Sequence, residues 1–239
     1  MKWLTGLAVL LAGSAFGEVG KVTVLQGQAT RAPKGGEAVA LAVGGEIELG
    51  DTLSVKAGNL KFELTDGSVV ALATGSRLEI SEAEFEGQER KGFKAFLSAG
   101  SLWTKVKKTL TGAKFEVNTE RAVAGVRGTI FRIDADALVK AAKGRKASII
   151  RVVEGVVNVK PSEAVVKASH AAVPKAAPKT PGKRTQVAGP TEISSDEWEK
   201  RFVDLQANQQ VVVGVDLWDQ AELAAAAKND AFSKWLEKN

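Results

Sequence analysis

Glycines at positions 44, 45, 50, 58, 67 and 75 divide the first half of the chain into runs of about five to nine residues, which suit strands and are too short for helices. Within the runs apolar residues alternate with polar ones. Leu60, Phe62 and Leu64 are interleaved with Lys61, Glu63 and Thr65, so one face turns inward and the other toward solvent. Asp66-Gly67 reverses the chain, Val70 and Leu72 continue the inward row, Thr74-Gly75-Ser76 makes another corner, and Leu78 and Ile80 supply a further pair. Val22 and Val24 begin the same pattern near residue 19. Short apolar pairs between glycine corners predict an all-β body, either a rolled, solenoid-like stack of rungs or a jelly-roll-like sandwich.

The pattern is densest over residues 115–134. Phe115 with Val117, and Phe131 with Ile133, mark two half-buried strands joined through Ala122 to Gly128. Gly125 and Gly128 bracket Arg127, a spacing that suits close backbone approach or positive φ around one long basic side chain. Residues 135–146, rich in alanine and lysine, read as a long hairpin loop or a short helix. Ser148 to Val153 resumes a strand, Glu154-Gly155 turns, and Val156 to Val159 closes the series before Pro161.

Four motifs in this order resemble the FecR domain family: Gly50-Asp51-Thr52-Leu53, Leu64-Thr65-Asp66-Gly67-Ser68, Ala122 to Gly128 running into Thr129-Ile130-Phe131, and Glu154-Gly155-Val156-Val157-Asn158-Val159. They span roughly residues 44–160. The resemblance implies a structural role for Gly50, Asp51, Asp66, Gly67, Ser68, Gly125, Arg127, Gly128, Thr129, Phe131 and Gly155, and it names no active site. Regulatory members of the family look like membrane-spanning anti-sigma proteins whose periplasmic FecR domain receives a signal from an outer-membrane transporter. Here the chain starts on a different plan. Lys2, the apolar run Trp3 to Ala12 and the small residues Ala15 and Gly17 read as a secretory signal cleaved after Gly17. No cytoplasmic region precedes it, so the resemblance implies an exported, periplasmic or secreted module without a membrane helix.

Domain organisation follows from composition. Residues 1–17 are the signal, 18–161 the β domain, 162–193 a linker with Pro174, Pro178, Pro181 and Pro190, and 194–239 a helical extension. In that extension Ser194 and Glu197 have capping-box spacing ahead of a helix over 195–206. Val211 to Val215 is strand-like, and a second helix is predicted over about 220–237. The β domain, from Glu18 to Pro161, is expected to fold without the rest.

Several chemistries are excluded or disfavoured. The chain has no cysteine, which removes disulfides and thiol catalysis. Its one histidine, His170, falls in the linker and has no partner in sequence. There is neither a GxSxG elbow nor a phosphate-binding loop. Glu82, Glu84, Glu86 and Glu89 lack calcium-loop spacing and neighbour Arg90 and Lys91, so they read as a solvated loop or edge. Carboxylate-based glycan cleavage is the least favoured reading: no two acidic residues are seen to converge, and Asp134 and Asp136, which share a strand face, are equally what a solvated β edge produces. The formal charge of +5, or +4 without the leader (32 basic against 28 acidic residues), is too mild for a nucleic-acid binder. No cofactor or metal site is indicated.

Binding is the favoured role, with an envelope protein as partner and wall glycan as the alternative. Two surfaces compete. Trp103, Lys105 and Lys107 share one strand face, read as a protected edge or a contact surface; Phe232, Trp235 and Leu236 form an apolar face near the carboxy terminus. The latter docks either on the β body or on another protein.

Overall fold

A computed structural model describes residues 18–108, 113–138, 145–171, 202–215, 217–223 and 230–239. Fifteen strands follow in chain order: β1 (Glu18–Ala32), β2 (Val39–Ala40), β3 (Glu46–Glu48), β4 (Thr52–Leu64), β5 (Val69–Ala73), β6 (Arg77–Glu86), β7 (Glu89–Lys105), β8 (Lys114–Asn118), β9 (Ala122–Val126), β10 (Ile130–Leu138), β11 (Lys146–Glu154), β12 (Val156–Pro161), β13 (Val203–Gln206), β14 (Gln209–Gly214) and β15 (Leu217–Glu222). Two helices are described, α1 (Glu163–Ala171) and α2 (Ala231–Lys238).

All the strands belong to one hydrogen-bonded sheet, rolled so that it forms two layers. The pairing shows how. In one layer the order runs from the first half of β1 through the second half of β4, β5, the end of β7, β10, β11 and β14 to β15. In the other it runs from the end of β1 through the start of β4, β6, the start of β7, β8, β9 and β12 to β13. Long strands belong to both layers: β4 pairs with β5 at Asn59 to Glu63 but with β6 at Thr52 to Ser54. Shorter strands come as couples, β5 with β6, β9 with β10, β11 with β12 and β13 with β14, one member in each layer. The rungs are solenoid-like, as the glycine spacing suggests, but successive passes run antiparallel; only β7 and β8 are parallel.

Each pass crosses from layer to layer at a residue with positive φ: Gly27, Gly58, Gly75, Gly100, Gly128, Gly155 and, in the last pass, Asn208. Asparagine is the residue that best replaces glycine in this conformation. These residues form a seam on which neighbouring rungs touch. A Cβ built on Gly58 would stand 1.8 Å from the Gln26 carbonyl oxygen. Backbone meets backbone there, so no side chain fits.

The core lies between the layers and is one contiguous cluster that includes Leu60, Phe62, Leu72, Leu78, Phe93, Phe115, Phe131, Ile133, Ile150 and Val157. It extends past Pro161. Leu205, Val211 and Val213 are fully buried in it, because β13 continues one layer beside β12 and β14 continues the other beside β11.

Several boundaries differ from the sequence reading. The linker begins with α1, anchored by buried Val165, and residues 172–193 lie outside the described residues. Of the helix expected over 195–206, residues 203–206 are β13 and 195–201 are not described. Pairing with β12 has overridden a helical apolar spacing. Of the helix expected over about 220–237, residues 220–222 belong to β15 and residues 231–237 to α2, while 224–229 lie outside the described residues. The charged run from Glu82 to Lys91 is no loop: it is the β6–β7 hairpin. In residues 135–146, β10 continues to Leu138 and β11 starts at Lys146, while 139–144 are not described. The leader, residues 1–17, lies outside the described residues as well.

Candidate interaction face

Asp66 and Ser68 sit in the β4–β5 turn around Gly67, and both are buried. Ser68 donates from its N–H to Asp66 Oδ1 at 2.8 Å and from its hydroxyl to Asp66 Oδ2 at 2.8 Å. The partner absent from the sequence reading is Arg90. Its guanidinium is fully buried, forms an ion pair with Asp66, donates to Ser68 Oγ at 3.0 Å and to the Lys107 carbonyl at 3.2 Å, and lies 5.2 Å from the Phe115 ring centre. Burial lowers the guanidinium's pKa against the pull of Asp66. Phe93 stacks on Phe115 at 4.7 Å, so the charge is packed against aromatic surface. A buried arginine in a run of glutamates and lysines carries no sequence signal of its own. Its position opposite an Asp-Gly-Ser turn is visible only once β7 is folded over β5.

Gly50, Asp51, Gly128, Thr129, Phe131 and Gly155 serve turns, close approaches or the core. Gly50 has φ +88°, and Asp51 is buried, its Oδ2 accepting from the Glu48 N–H at 2.9 Å and pairing with Arg31 at 3.4 Å. Burial raises the Asp51 pKa, although the Glu48 hydrogen bond and Arg31 act against that rise. Gly128 has φ +64°, and a Cβ there would meet Lys108 Cβ at 2.8 Å. Gly155 has φ +84° and packs on Thr129, whose hydroxyl donates to the Val156 carbonyl at 2.9 Å. Phe131 is fully buried. Gly125 and Arg127 differ from expectation. Gly125 is an ordinary strand residue with nothing nearer to a built Cβ than Asn158 O at 3.9 Å, and Arg127 is exposed rather than held between the glycines.

The two candidate surfaces are one. Register places Lys61, Ala71, Trp103, Arg132, Arg151 and Gln210 in a single row across β4, β5, β7, β10, β11 and β14, on the face directed away from the core. Trp103 and Lys105 point to this face as expected, but the strand is interior, flanked by β5 and β10, and protects no edge. Lys107 lies beyond the end of β7, exposed, and its N–H donates to Ser68 Oγ at 2.9 Å.

Helix α2 lies over this row. Its N-cap Asp230 accepts from the Ser233 N–H at 2.8 Å and forms an ion pair with Arg132. Arg132 stands 5.4 Å from the Phe232 ring centre, and Phe232 stacks on Trp235 at 6.1 Å. At the other end the Lys61 ammonium donates to the Asn239 main-chain oxygen. Eight helical residues span about 12 Å and three strand spacings about 14 Å, so the helix reaches from β10 to β4. Beside it runs a groove of about 450 Å³ lined by Trp103, Ile130, Arg132, Arg151, Val153 and Leu236, among others.

The face is rich in cations. Asp134 accepts from Arg132 Nε at 2.9 Å and from the Ser101 hydroxyl, and it pairs with Arg151. Burial works against the charge on Arg132, but Asp134 and Asp230 outweigh it and hold its pKa above the ordinary value. Asp134 and Asp136 are not built as an acid and base pair. Asp136 sits past a register shift with φ +58°, between Arg121 and Lys146. Burial raises its pKa, yet these cations more than compensate and keep the carboxylate below its ordinary range, whereas a general acid needs the opposite. Among the described residues no three His, Asp or Glu side chains gather as a metal site. His170 is in α1, and its side chain is outside the description. No described helix is long and apolar enough to cross a membrane.

α2 is held lightly. Phe232 is its only buried residue. That burial contributes about 2 kcal/mol, the cap about 1 kcal/mol, and an ion pair with an exposed carboxylate less than about 1 kcal/mol, before the cost of ordering the segment.

Fold and motif together define a class: a two-layer β roll with a buried Asp-Ser-Arg cluster at one turn and a partly covered basic-aromatic face. Residues 51–158 match the FecR protein family, so the chain carries a FecR domain. No curated protein matches it. Two crystal structures of a proposed anti-sigma factor from Parabacteroides distasonis ATCC 8503, at 1.65 and 2.50 Å resolution, are similar, each with 18% identity, a TM-score of 0.47 and 77% of this chain covered. The chain spans 64% and 63% of the length of those structures.

Proposed function

We propose that this chain is a non-enzymatic FecR-type module of the cell envelope that senses or transmits a signal by protein contact, and that the Trp103, Arg132, Arg151 face is its contact surface. The observation that carries the reading is the convergence of a tryptophan and two arginines in one row, beside an apolar groove whose far wall is a lightly held helix. Tryptophan and arginine beside apolar surface are the side chains on which protein interfaces concentrate their binding energy. The FecR domain supports a regulatory role, and the signal-like leader supports export. The carboxylates on this face are neutralised by cations, which favours recognition over acid-base chemistry.

The test is crosslinking in intact cells from a photoreactive residue at Val153, on the rim of the groove and 47% exposed. A discrete envelope protein should be trapped, and Trp103→Ala combined with Arg151→Ala should reduce the product at least ten-fold while the melting temperature stays within a few degrees. Absence of a product, together with co-sedimentation of the purified chain with peptidoglycan, would replace the protein partner by glycan.

A further inference from the structure

Without α2, the outer face would present Lys61, Arg132 and Arg151, with Asp134 two residues along β10 as the carboxylate paired to both arginines, next to Trp103 and the apolar wall of Ile130 and Val153. α2 answers that surface with matching chemistry. Its Asp230 carboxylate meets Arg132, its Phe232 ring lies against the same guanidinium two residues later, and its Leu236 lines the same groove as Trp103. Yet seven of its eight residues are not buried, and the groove beside it stays open.

We propose that this face is a receptor for a short amphipathic segment of a partner protein, one that carries a carboxylate followed two residues later by an aromatic ring, and that α2 is the chain's own occupant of that receptor. The partner's segment displaces α2 and inherits its contacts to Arg132 and the Trp103 groove. Charge complementarity selects the occupant: a basic or purely apolar helix would leave Arg132 and Arg151 with one carboxylate between them. Competition by α2 sets a threshold, because a partner must bind better than a tethered segment of like chemistry. The proposal rests on the reading of this face as a contact surface and adds the kind of partner and the means of control.

The experiment uses the full chain and a fluorescent ten-residue peptide with the sequence of residues 230–239, followed by anisotropy. The Phe232→Ala chain, whose own helix has lost its anchor, should bind the peptide at least five-fold more tightly than the unaltered chain. Adding Arg132→Ala should weaken that binding at least ten-fold, and a peptide with alanine in place of both Asp230 and Phe232 should not bind. Should Phe232→Ala fail to fold, Leu236→Ala carries the same expectation. Equal binding by the unaltered and released chains, no binding by the released chain, or indifference to Arg132→Ala would each overturn the proposal. A dimeric released chain that excludes the peptide would make a second copy the occupant and overturn it too. The outcomes separate from those of the cell crosslink: peptide exchange without a crosslinked envelope protein leaves the receptor and removes the envelope contact, and the reverse leaves the contact surface and removes α2 as its mimic.

Discussion

Arg90 and Asp66 are the residues whose loss should be felt most. Removing one member of a fully buried ion pair strands the other charge, which typically costs about 3–5 kcal/mol. Asp66→Ala is expected to lower the unfolding free energy by about that amount in urea denaturation, and Asp66→Ala with Arg90→Leu by less than the sum of the two single changes. Gly128 and Gly125 form a second contrast. Gly128→Val puts a branched side chain at φ +64° against Lys108 and should cost about 2–4 kcal/mol, whereas Gly125→Ala, with open space around the built Cβ, should cost under about 1 kcal/mol. Equal melting temperatures for these two variants would contradict the seam. Asp51 gives a pH signature. Its pKa in the folded chain lies above the ordinary 3.8, so its favourable contribution is complete below that value and is lost as pH rises through the folded pKa. The stability of Asp51→Asn relative to the unaltered chain should therefore increase between about pH 4 and neutrality. A flat or falling difference would show that Arg31 and the Glu48 amide, not burial, dominate.

At the scale of elements, α2 should respond to acid before the β roll does. Burial pushes the Asp230 carboxyl up, but the Ser233 amide and Arg132 more than compensate and hold its pKa below 3.8. Docking is thus supported above that value and weakens as pH falls through the folded pKa. Tryptophan emission from this face is expected to shift to the red in acid while the far-ultraviolet β signal persists, and Asp230→Ala should show the shifted emission already at neutral pH. Coincident loss of both signals would mean that helix and roll unfold together. The sequence showed α2 in part: the Phe232, Trp235 and Leu236 spacing was legible, its surface on the body was not. The strand-like run from Val211 to Val215 was legible too and is β14, whereas residues 203–206 read as helix because the apolar spacing around Leu205 fits a helical period, and only the open edge of β12 makes them extended.

For the molecule as a whole, the expectation that residues 18–161 suffice by themselves needs revision. β13 and β14 supply Leu205, Val211 and Val213 to the core and cover the outer edges of β12 and β11. A fragment ending at Pro161 would expose those edges and part of the core, so it should unfold at a clearly lower denaturant concentration than the full chain and should self-associate. Leu205→Ala in the full chain should cost about 2–4 kcal/mol. A fragment as stable as the full chain would show that the last strands are ornamental.

What the sequence determined by itself is local. Alternation with period two makes strands, and glycine at the corners permits the left-handed turns that let each pass change layers, so the all-β class and the FecR motifs are legible in the sequence alone. What the tertiary structure decided depends on residues far apart in the chain. Arg90 reaches Asp66 across 24 positions, and Arg132 reaches Asp230 across 98. Trp103 sits in an interior strand because β5 and β10 happen to pair on either side of it. The physical reason is that register, once fixed by the inward-facing residues, also aligns the outward ones, and a row such as Lys61, Trp103, Arg132 and Arg151 comes into being only when four distant strands are laid side by side.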